Sequence, residues 1–181
     1  MIVIITIVIL ERRNNHSDVV VGCGTGRNFG HYDLSKVQQV IAVDSVPNMV
    51  QVATTKIPNR TKMTVQVMDA HVLQFPNAQF DTVIDTFGLC SYENPVKVLQ
   101  EMARVCKPTG QLILIEHGKG LYEWMNNILD NNAQQHANKW GCIYNKDINQ
   151  LVLDAGLQIV SESRYHFGTT YVIQAKSKIL K

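Results

Sequence analysis

The chain has 181 residues, 45% of them apolar, with 17 lysines and arginines against 15 aspartates and glutamates. This length and composition are typical of one globular domain with a sizeable core, and no repeat or linker divides the sequence. The formal charge of +2 is scattered along the chain, which argues against a nucleic-acid-binding protein.

The first ten residues are almost entirely apolar and β-branched, but they are only about half as many as a helix needs to cross a bilayer. They lack the charged start and small-residue cleavage site of a secretory signal. We therefore predict no membrane span, one domain over residues 18–181, and over residues 1–17 an apolar leader or extra strand, with a truncated N-terminal cover as the alternative.

A strand predicted at residues 18–21 runs directly into Gly22-Cys23-Gly24-Thr25-Gly26. Glycines at alternate positions let the backbone turn sharply and approach a ligand closely, while free amides at such a turn favour polar groups. Asp44 closes the next predicted strand, and an ionised carboxylate can accept hydrogen bonds from both hydroxyls of a ribose. The pattern predicts a nucleotide-shaped cofactor, with a ligand-free turn as the alternative.

The spacing of the glycines distinguishes between cofactors. A dinucleotide fingerprint needs a third glycine one residue later, where Arg27 or Phe29 stands, depending on which glycine begins the count. A nicotinamide-dependent oxidoreductase is therefore disfavoured.

Apolar runs alternate with segments of helical periodicity along the rest of the chain, which predicts a parallel sheet covered by helices on both faces. Further strands are predicted at residues 37–43, 63–68, 80–86 and 111–115, and an antiparallel hairpin at 157–165 and 170–175. Helices are predicted to begin near Pro47 and Asn94, the second being stopped by residues 108–110. A long amphipathic helix is marked by Leu121, Trp124, Met125, Ile128 and Leu129, and a final helix runs from a cap at Asn145 to Gly156.

Ligands of such sheets bind beyond the carboxyl ends of the strands. The loops predicted to meet there are residues 22–28, 44–46, 69–71 and 87–92, with 116–118 at their edge. The four cysteines, Cys23, Cys90, Cys106 and Cys142, are far apart and lack the spacing of metal ligands. We predict buried or cleft thiols in a reducing compartment, without a disulfide framework or a metal site.

Several blocks together resemble the type 11 methyltransferase domain of class I S-adenosylmethionine-dependent methyltransferases. They are the glycine loop with Asp44, Phe80-Asp81-Thr82-Val83-Ile84-Asp85, Arg104-Val105-Cys106-Lys107-Pro108-Thr109-Gly110, Leu89-Cys90-Ser91 and Glu116-His117-Gly118. The last two are similar to the methyltransferase-like thiol methyltransferases. Blocks at residues 139–142, 145–148 and 165–170 resemble a fungal mitochondrial inner-membrane methyltransferase family.

The resemblance implies a Rossmann-like α/β fold with a mostly parallel seven-stranded sheet, the last strand antiparallel, and S-adenosyl-L-methionine as cofactor. The residues that it implies for cofactor binding are Gly22, Cys23, Gly24, Thr25, Gly26, Asn28, Asp44, Ser45, Met49, Asp69, Ala70 and Phe87. Asp69 could instead cap a turn. Val20 stands where the family usually has a carboxylate for the methionine amino group.

The predicted function is transfer of a methyl group to a small-molecule or lipid-like acceptor by in-line displacement. His117 is the candidate general base because it ends a strand at the cleft and imidazole titrates near neutrality; a structural histidine is the alternative. The resemblance implies a mitochondrial location, with the cytoplasm as the alternative. A second functional class is a noncatalytic protein of this fold that acts in assembly or maturation of a mitochondrial membrane complex.

Overall fold

The computed structural model describes residues 15–177, so nearly all of the predicted leader lies outside the described residues. The strands are β1 (His16–Val21), β2 (Val37–Asp44), β3 (Met63–Val67), β4 (Phe80–Thr86), β5 (Cys106–His117), β6 (Leu157–Tyr165) and β7 (Thr170–Ser177). The helices are α1 (Pro47–Thr55), α2 (Pro95–Val105), α3 (Glu123–Trp140) and α4 (Ile148–Asp154), with a short 3-10 turn at Phe29–His31.

The strands form one seven-stranded sheet in the order β3-β2-β1-β4-β5-β7-β6. Neighbours pair in parallel from β3 to β5, whereas β7 is antiparallel to both β5 and β6. This arrangement confirms the predicted fold class, including the reversed final strand.

Two apolar clusters lie on opposite faces of the sheet because successive strand residues point to opposite sides. Val19 and Val21 belong to one cluster, which also receives buried side chains of α2 and α4. Val20 belongs to the other, which receives Ala53 from α1. The helices therefore cover both faces, as predicted.

The register brings the functional loops to one edge. Val21, the last residue of β1, pairs with Val43 on one side and Asp85 on the other. The carboxyl ends of β1, β2 and β4 consequently lie next to each other, and the loops that follow them face the same space.

Two predicted boundaries are wrong. Residues 108–110 do not stop α2, which ends at Val105 and passes at once into β5; the pairing register jumps from Cys106 to Gln111, so the intervening residues form an irregularity in the strand. Asn145 is not the cap of α4. Asp147 has that role, because its side chain accepts a hydrogen bond from the Gln150 amide at 3.1 Å.

The predicted helix around Trp124 and Ile128 exists as α3, but no residue of it is buried. Trp124 and Ile128 are each more than half exposed. Helical periodicity identified residues that share a face, but it could not show whether another element covers that face. Within residues 15–177, no helix combines the length and apolar character required to cross a membrane.

Candidate functional site

The glycine loop follows β1 and adopts a backbone that disfavours side chains. Gly22 has φ of +64°, and a Cβ there would collide with the Tyr92 hydroxyl. Gly24 has φ of +54°, but nothing lies within 4 Å of the position its Cβ would take. The first glycine is therefore required by packing inside the protein, whereas the space beside the second is open to a ligand.

Asp44 lies opposite this loop at the end of β2. Its Oδ2 accepts the Gly24 amide at 2.8 Å, and its Oδ1 accepts the Val46 amide at 3.0 Å. Both bonds come from backbone groups, so they fix the carboxylate without a neutralising cation. Each oxygen retains a lone pair, and the half-buried side chain can accept further hydrogen bonds from a ligand.

Two cavities meet at Gly22. The smaller one, about 150 Å³, is lined by Gly22, Asp44, Ser45, Met68, Asp69, Ala70, His71, Ser91, Tyr92 and Glu93. The larger one, about 620 Å³, is lined by Gly22, Cys23, Gly24, Thr25, Asn28 and Phe87 together with Val20, Arg27, Phe29, His31 and Thr86. A ligand with two polar halves could span both cavities across the glycine loop.

Most of the predicted cofactor residues line one of these cavities, but Gly26 and Met49 line neither. A Cβ on Gly26 would lie 2.7 Å from the Phe29 ring, so that glycine permits close packing beneath the loop. Met49 is 41% exposed on α1. The resemblance implied that both residues contact the cofactor, and that assignment stays a prediction.

Asp69 has the geometry of a turn cap and also lines the smaller cavity. Its Oδ1 accepts hydrogen bonds from the His71 amide at 2.9 Å and from His71 Nδ1 at 2.7 Å. These bonds lower the pKa of the Asp69 carboxyl. The two predicted roles are therefore compatible, since the carboxylate holds the turn that forms one wall of the cavity.

A buried polar group lies beneath the loop and was not predicted. Asp85, Glu116 and Tyr92 are close together there, and Gly88 donates its amide to Glu116 Oε1 at 3.3 Å. Burial raises the pKa of Asp85 to about 8, and burial followed by the charge of Asp85 raises the pKa of Glu116 well above its usual range. The pair therefore holds at least one proton at neutral pH. The sequence feature that could have predicted this buried group is Asp85, an acidic residue that follows the apolar pair Val83 and Ile84 in β4.

His117 lies at the end of β5, separated from the larger cavity by Phe87. The two rings stack with centroids 5.2 Å apart, and His117 Nε2 lies 2.9 Å from Cys142 Sγ. Burial, and then the nearby His136, lower the pKa of His117, so its imidazole is neutral near pH 7. The general-base role of His117 stays a prediction. The cysteine neighbour was not anticipated, because Cys142 is remote in the sequence.

Comparison with known proteins now decides the family. A model of the family described as "Methyltransferase domain" matches residues 19–114, which include the glycine loop, Asp44, Asp69 and β4. The chain belongs to the methyltransferase domain family. The family prediction is therefore confirmed.

Two curated relatives and one solved structure illustrate the range of similar proteins. The mitochondrial methyltransferase OMS1 of Saccharomyces cerevisiae is 38% identical over 87% of this chain and 37% of its own length. The thiol S-methyltransferase TMT1B of Rattus norvegicus is 35% identical over 54% of this chain and 41% of its own length. The S-adenosylmethionine-dependent methyltransferase of Mesorhizobium loti has a TM-score of 0.71 at 12% identity, covering 94% of this chain and 95% of that one.

The chain thus spans well under half the length of the two curated relatives. The solved structure has low sequence identity to this chain, so its similarity supports the fold alone. One of the curated relatives, OMS1, is a mitochondrial protein.

Proposed function

We propose that this domain is an S-adenosylmethionine-dependent methyltransferase that methylates a small-molecule or lipid-like acceptor. The observation that carries the proposal is the Asp44 carboxylate, fixed by two backbone amides at the wall of one cavity and next to the open glycine loop. A carboxylate without its own donor suits the two hydroxyls of a ribose.

The two cavities suggest how the cofactor would be held. Asp44 would accept the ribose hydroxyls, Asp69 and Ala70 would lie beside the adenine, and the loop from Gly22 to Asn28 would line the methionine half. When bound, S-adenosylmethionine supplies an electrophilic methyl group on a sulfonium. The chain's own contribution would be chiefly to hold donor and acceptor in line and to exclude water.

The acceptor would approach past Phe87, which forms the wall of the larger cavity towards His117. A thiol or another small nucleophile is one candidate, since TMT1B is a thiol S-methyltransferase. An apolar acceptor would suit the exposed Trp124 and Phe167, whose rings are in contact near this end of the sheet.

We propose a mitochondrial location on the similarity to OMS1, and peripheral membrane association would be consistent with the exposed rings of Trp124 and Phe167.

A noncatalytic role in assembly of a membrane complex is the second candidate. The observation in its favour is Val20, an apolar and buried residue where the family usually places the carboxylate for the methionine amino group. Without that contact, cofactor affinity would depend on the Asp44 half of the site.

The test is a calorimetric titration of the purified protein with S-adenosylmethionine and S-adenosylhomocysteine. We expect saturable binding with one site per chain. Asp44→Ala should weaken it by roughly 100-fold or more, because two charge-assisted hydrogen bonds, each worth about 1.5–3 kcal/mol, would be lost. Asp33→Ala is the matched control, since Asp33 is an exposed carboxylate that caps a turn through Ser35 and lines neither cavity.

Absence of binding by either compound would contradict the enzyme proposal and favour the noncatalytic candidate. Equal affinities of Asp44→Ala and the unaltered protein would contradict the assignment of the ribose site. Binding that depends on Asp44 would justify an acceptor search beginning with thiols and quinone-like phenols.

A further inference from the structure

Three potential metal ligands converge beside the larger cavity although they are far apart in sequence. Cys90 follows β4, His117 ends β5 and Cys142 follows α3. The two Sγ atoms and one imidazole nitrogen all lie within 4.8 Å of one another. Both cysteines are free thiols and buried, whereas His117 is partly exposed.

Backbone hydrogen bonds hold the loops that carry these ligands. The Ile143 amide donates to the Cys90 carbonyl at 3.0 Å, which fastens the Cys142 loop directly to the Cys90 loop. The Lys119 amide donates to the Lys146 carbonyl at 2.9 Å, and Lys146 Nζ donates to the Leu89 carbonyl at the same distance. The three loops are thus joined to one another, so the ligand cluster does not depend on any single flexible segment.

The ligand side chains are also oriented from outside the cluster. The His117 ring stacks on Phe87 and meets the edge of Tyr144, with centroids 5.2 Å and 6.4 Å away. His136 Nδ1 donates to the Cys142 carbonyl at 3.0 Å, which fixes the loop beneath that thiol. Such supporting contacts are typical of metal sites, where neighbours determine the direction in which each ligand points.

We propose that Cys90, His117 and Cys142 form a site for a thiophilic metal ion, zinc in particular. Two thiolates and one imidazole are ligands that zinc prefers, and a Cys₂His set leaves its fourth tetrahedral position to water or another exogenous ligand. The two thiol protons leave for the solvent on binding, and no oxidation occurs. Two thiolates balance the charge of a divalent ion, so the site carries no excess positive charge next to Lys146.

The distances can accommodate the ion after a small adjustment. Zinc–sulfur bonds of about 2.3 Å and zinc–nitrogen bonds of about 2.0 Å separate tetrahedral ligand atoms by roughly 3.5–3.8 Å. His117 Nε2 and Cys142 Sγ lie 2.9 Å apart, so they would separate by roughly half an ångström. That movement lies within reach of a side-chain rotation.

This site and a general-base role for His117 exclude each other, because one lone pair of Nε2 cannot both bind a metal and take up a proton. The absence of metal-ligand spacing in the sequence argued against such a site. That argument concerned neighbours along the chain, whereas the fold brings together residues from three different loops.

The test uses the whole reduced protein, freed of metal by chelation and titrated with Zn²⁺ and, separately, Co²⁺. We expect one Zn²⁺ per chain by elemental analysis, and a Co²⁺ spectrum with tetrahedral d–d bands and a sulfur-to-cobalt charge-transfer band that Zn²⁺ abolishes. Cys90→Ser and Cys142→Ser should each weaken Zn²⁺ binding by more than the roughly 10–100-fold loss typical of outer-shell changes. His117→Gln should weaken binding while retaining the sulfur band.

Cys106→Ala is the matched control, because Cys106 is also a buried thiol but lies at the opposite end of β5 from His117. It should bind Zn²⁺ as the unaltered protein does. An octahedral Co²⁺ spectrum without the sulfur band, or equal binding by Cys142→Ser and the unaltered protein, would overturn the proposal. If a serine variant fails to fold by circular dichroism, the Co²⁺ spectrum of the unaltered protein decides by itself. Cofactor titration is a separate readout, so failure of one proposal does not imply failure of the other.

Discussion

Asp44 and Asp85 occupy the two strands that flank β1, yet their environments are opposite. Asp44 ends β2 at the rim of the cleft, where two backbone amides bind its oxygens and solvent reaches it. Asp85 lies in β4, where it pairs directly with Val21 of β1. It is fully buried, and burial raises its pKa to about 8. A shift of one residue along a parallel strand therefore separates a carboxylate that a ligand can reach from a buried one that holds a proton.

The difference follows from solvation. Backbone amides bind both oxygens of Asp44 and leave the side chain within reach of a ligand, whereas burial of Asp85 disfavours its charged form. Glu116 and Tyr92 lie in the same buried region, so ionisation of Asp85 would place a negative charge among groups that cannot easily compensate it. The role proposed for Asp44 is therefore ligand binding and that proposed for Asp85 is an effect on stability, and the following substitutions test that division.

Gly22→Ala should have the largest effect, because Gly22 lies between the two carboxylates and contributes to both cavities. A methyl group there would collide with the Tyr92 hydroxyl and would strain a backbone with φ of +64°. We expect a loss of about 2 kcal/mol or more in the free energy of unfolding, measured by urea titration, together with loss of cofactor binding.

Gly30→Ala is the matched control, since its added methyl group would have no atom within 4 Å. A Gly22→Ala protein with the stability of this control would mean that the Tyr92 contact does not constrain the loop.

Asp85→Asn should change how stability depends on pH. A carboxyl whose pKa is raised on folding stabilises the native state fully below its unfolded value, 3.8, and this stabilisation is lost as pH rises towards about 8. The loss is roughly 1.4 kcal/mol per pH unit for one proton. Asn cannot ionise, so we expect the variant to gain stability relative to the unaltered protein as pH rises from 5 to 8, by up to a few kcal/mol.

Urea titrations at several pH values measure this effect. Asp33→Asn is the control, because Asp33 is exposed and hydrogen bonds with Ser35 lower the pKa of its carboxyl. Parallel stability curves for Asp85→Asn and the unaltered protein would show that Asp85 is ionised in the native state, and the contrast with Asp44 would then fail.

The sequence was sufficient to predict the sheet because most strands contain a short apolar run bounded by turn residues, and Gly22 and Asp44 each have a local signature. It could not predict the convergence of Cys90 with Cys142, since proximity across three loops leaves no periodic trace. Asn145 and Asp147 are both good helix caps by residue type, so only the backbone geometry distinguishes them. The exposed face containing Trp124 shows the same limit: periodicity defines a face but not its partner.

Arg104→Lys should have an intermediate effect and tests whether the segment near the smaller cavity affects cofactor binding. The Arg104 guanidinium donates to Glu101 and to the carbonyls of Leu73 and Phe75, at 2.7–2.8 Å. Arg104 thereby holds the segment at Leu73 and Phe75, which follows Asp69 in the wall of the smaller cavity. Lysine keeps the charge but cannot reproduce this planar set of donors, so we expect about 1–2 kcal/mol of destabilisation.

Thermal unfolding and cofactor titration should separate the two properties for Arg104→Lys. We expect the melting temperature to fall while cofactor affinity at 25 °C changes little, because Arg104 itself lines neither cavity. If Arg104→Lys weakened cofactor binding as much as Asp44→Ala does, binding would depend on the segment that Arg104 holds as much as on the Asp44 carboxylate.

Asn94→Ala should have the smallest effect, since it removes one helix cap at the edge of the same cavity. Asn94 Oδ1 accepts the Lys97 amide at 3.0 Å, and the Asn94 amide donates to His71 Nε2 at 3.3 Å. The substitution removes only the first bond, so about 1 kcal/mol of stability should be lost. Asn94→Asp supplies the matched control by restoring an acceptor of the same size. If Asn94→Ala weakened cofactor binding while Asn94→Asp did not, the cap would position His71 at the cavity wall, and binding would extend beyond the Asp44 carboxylate.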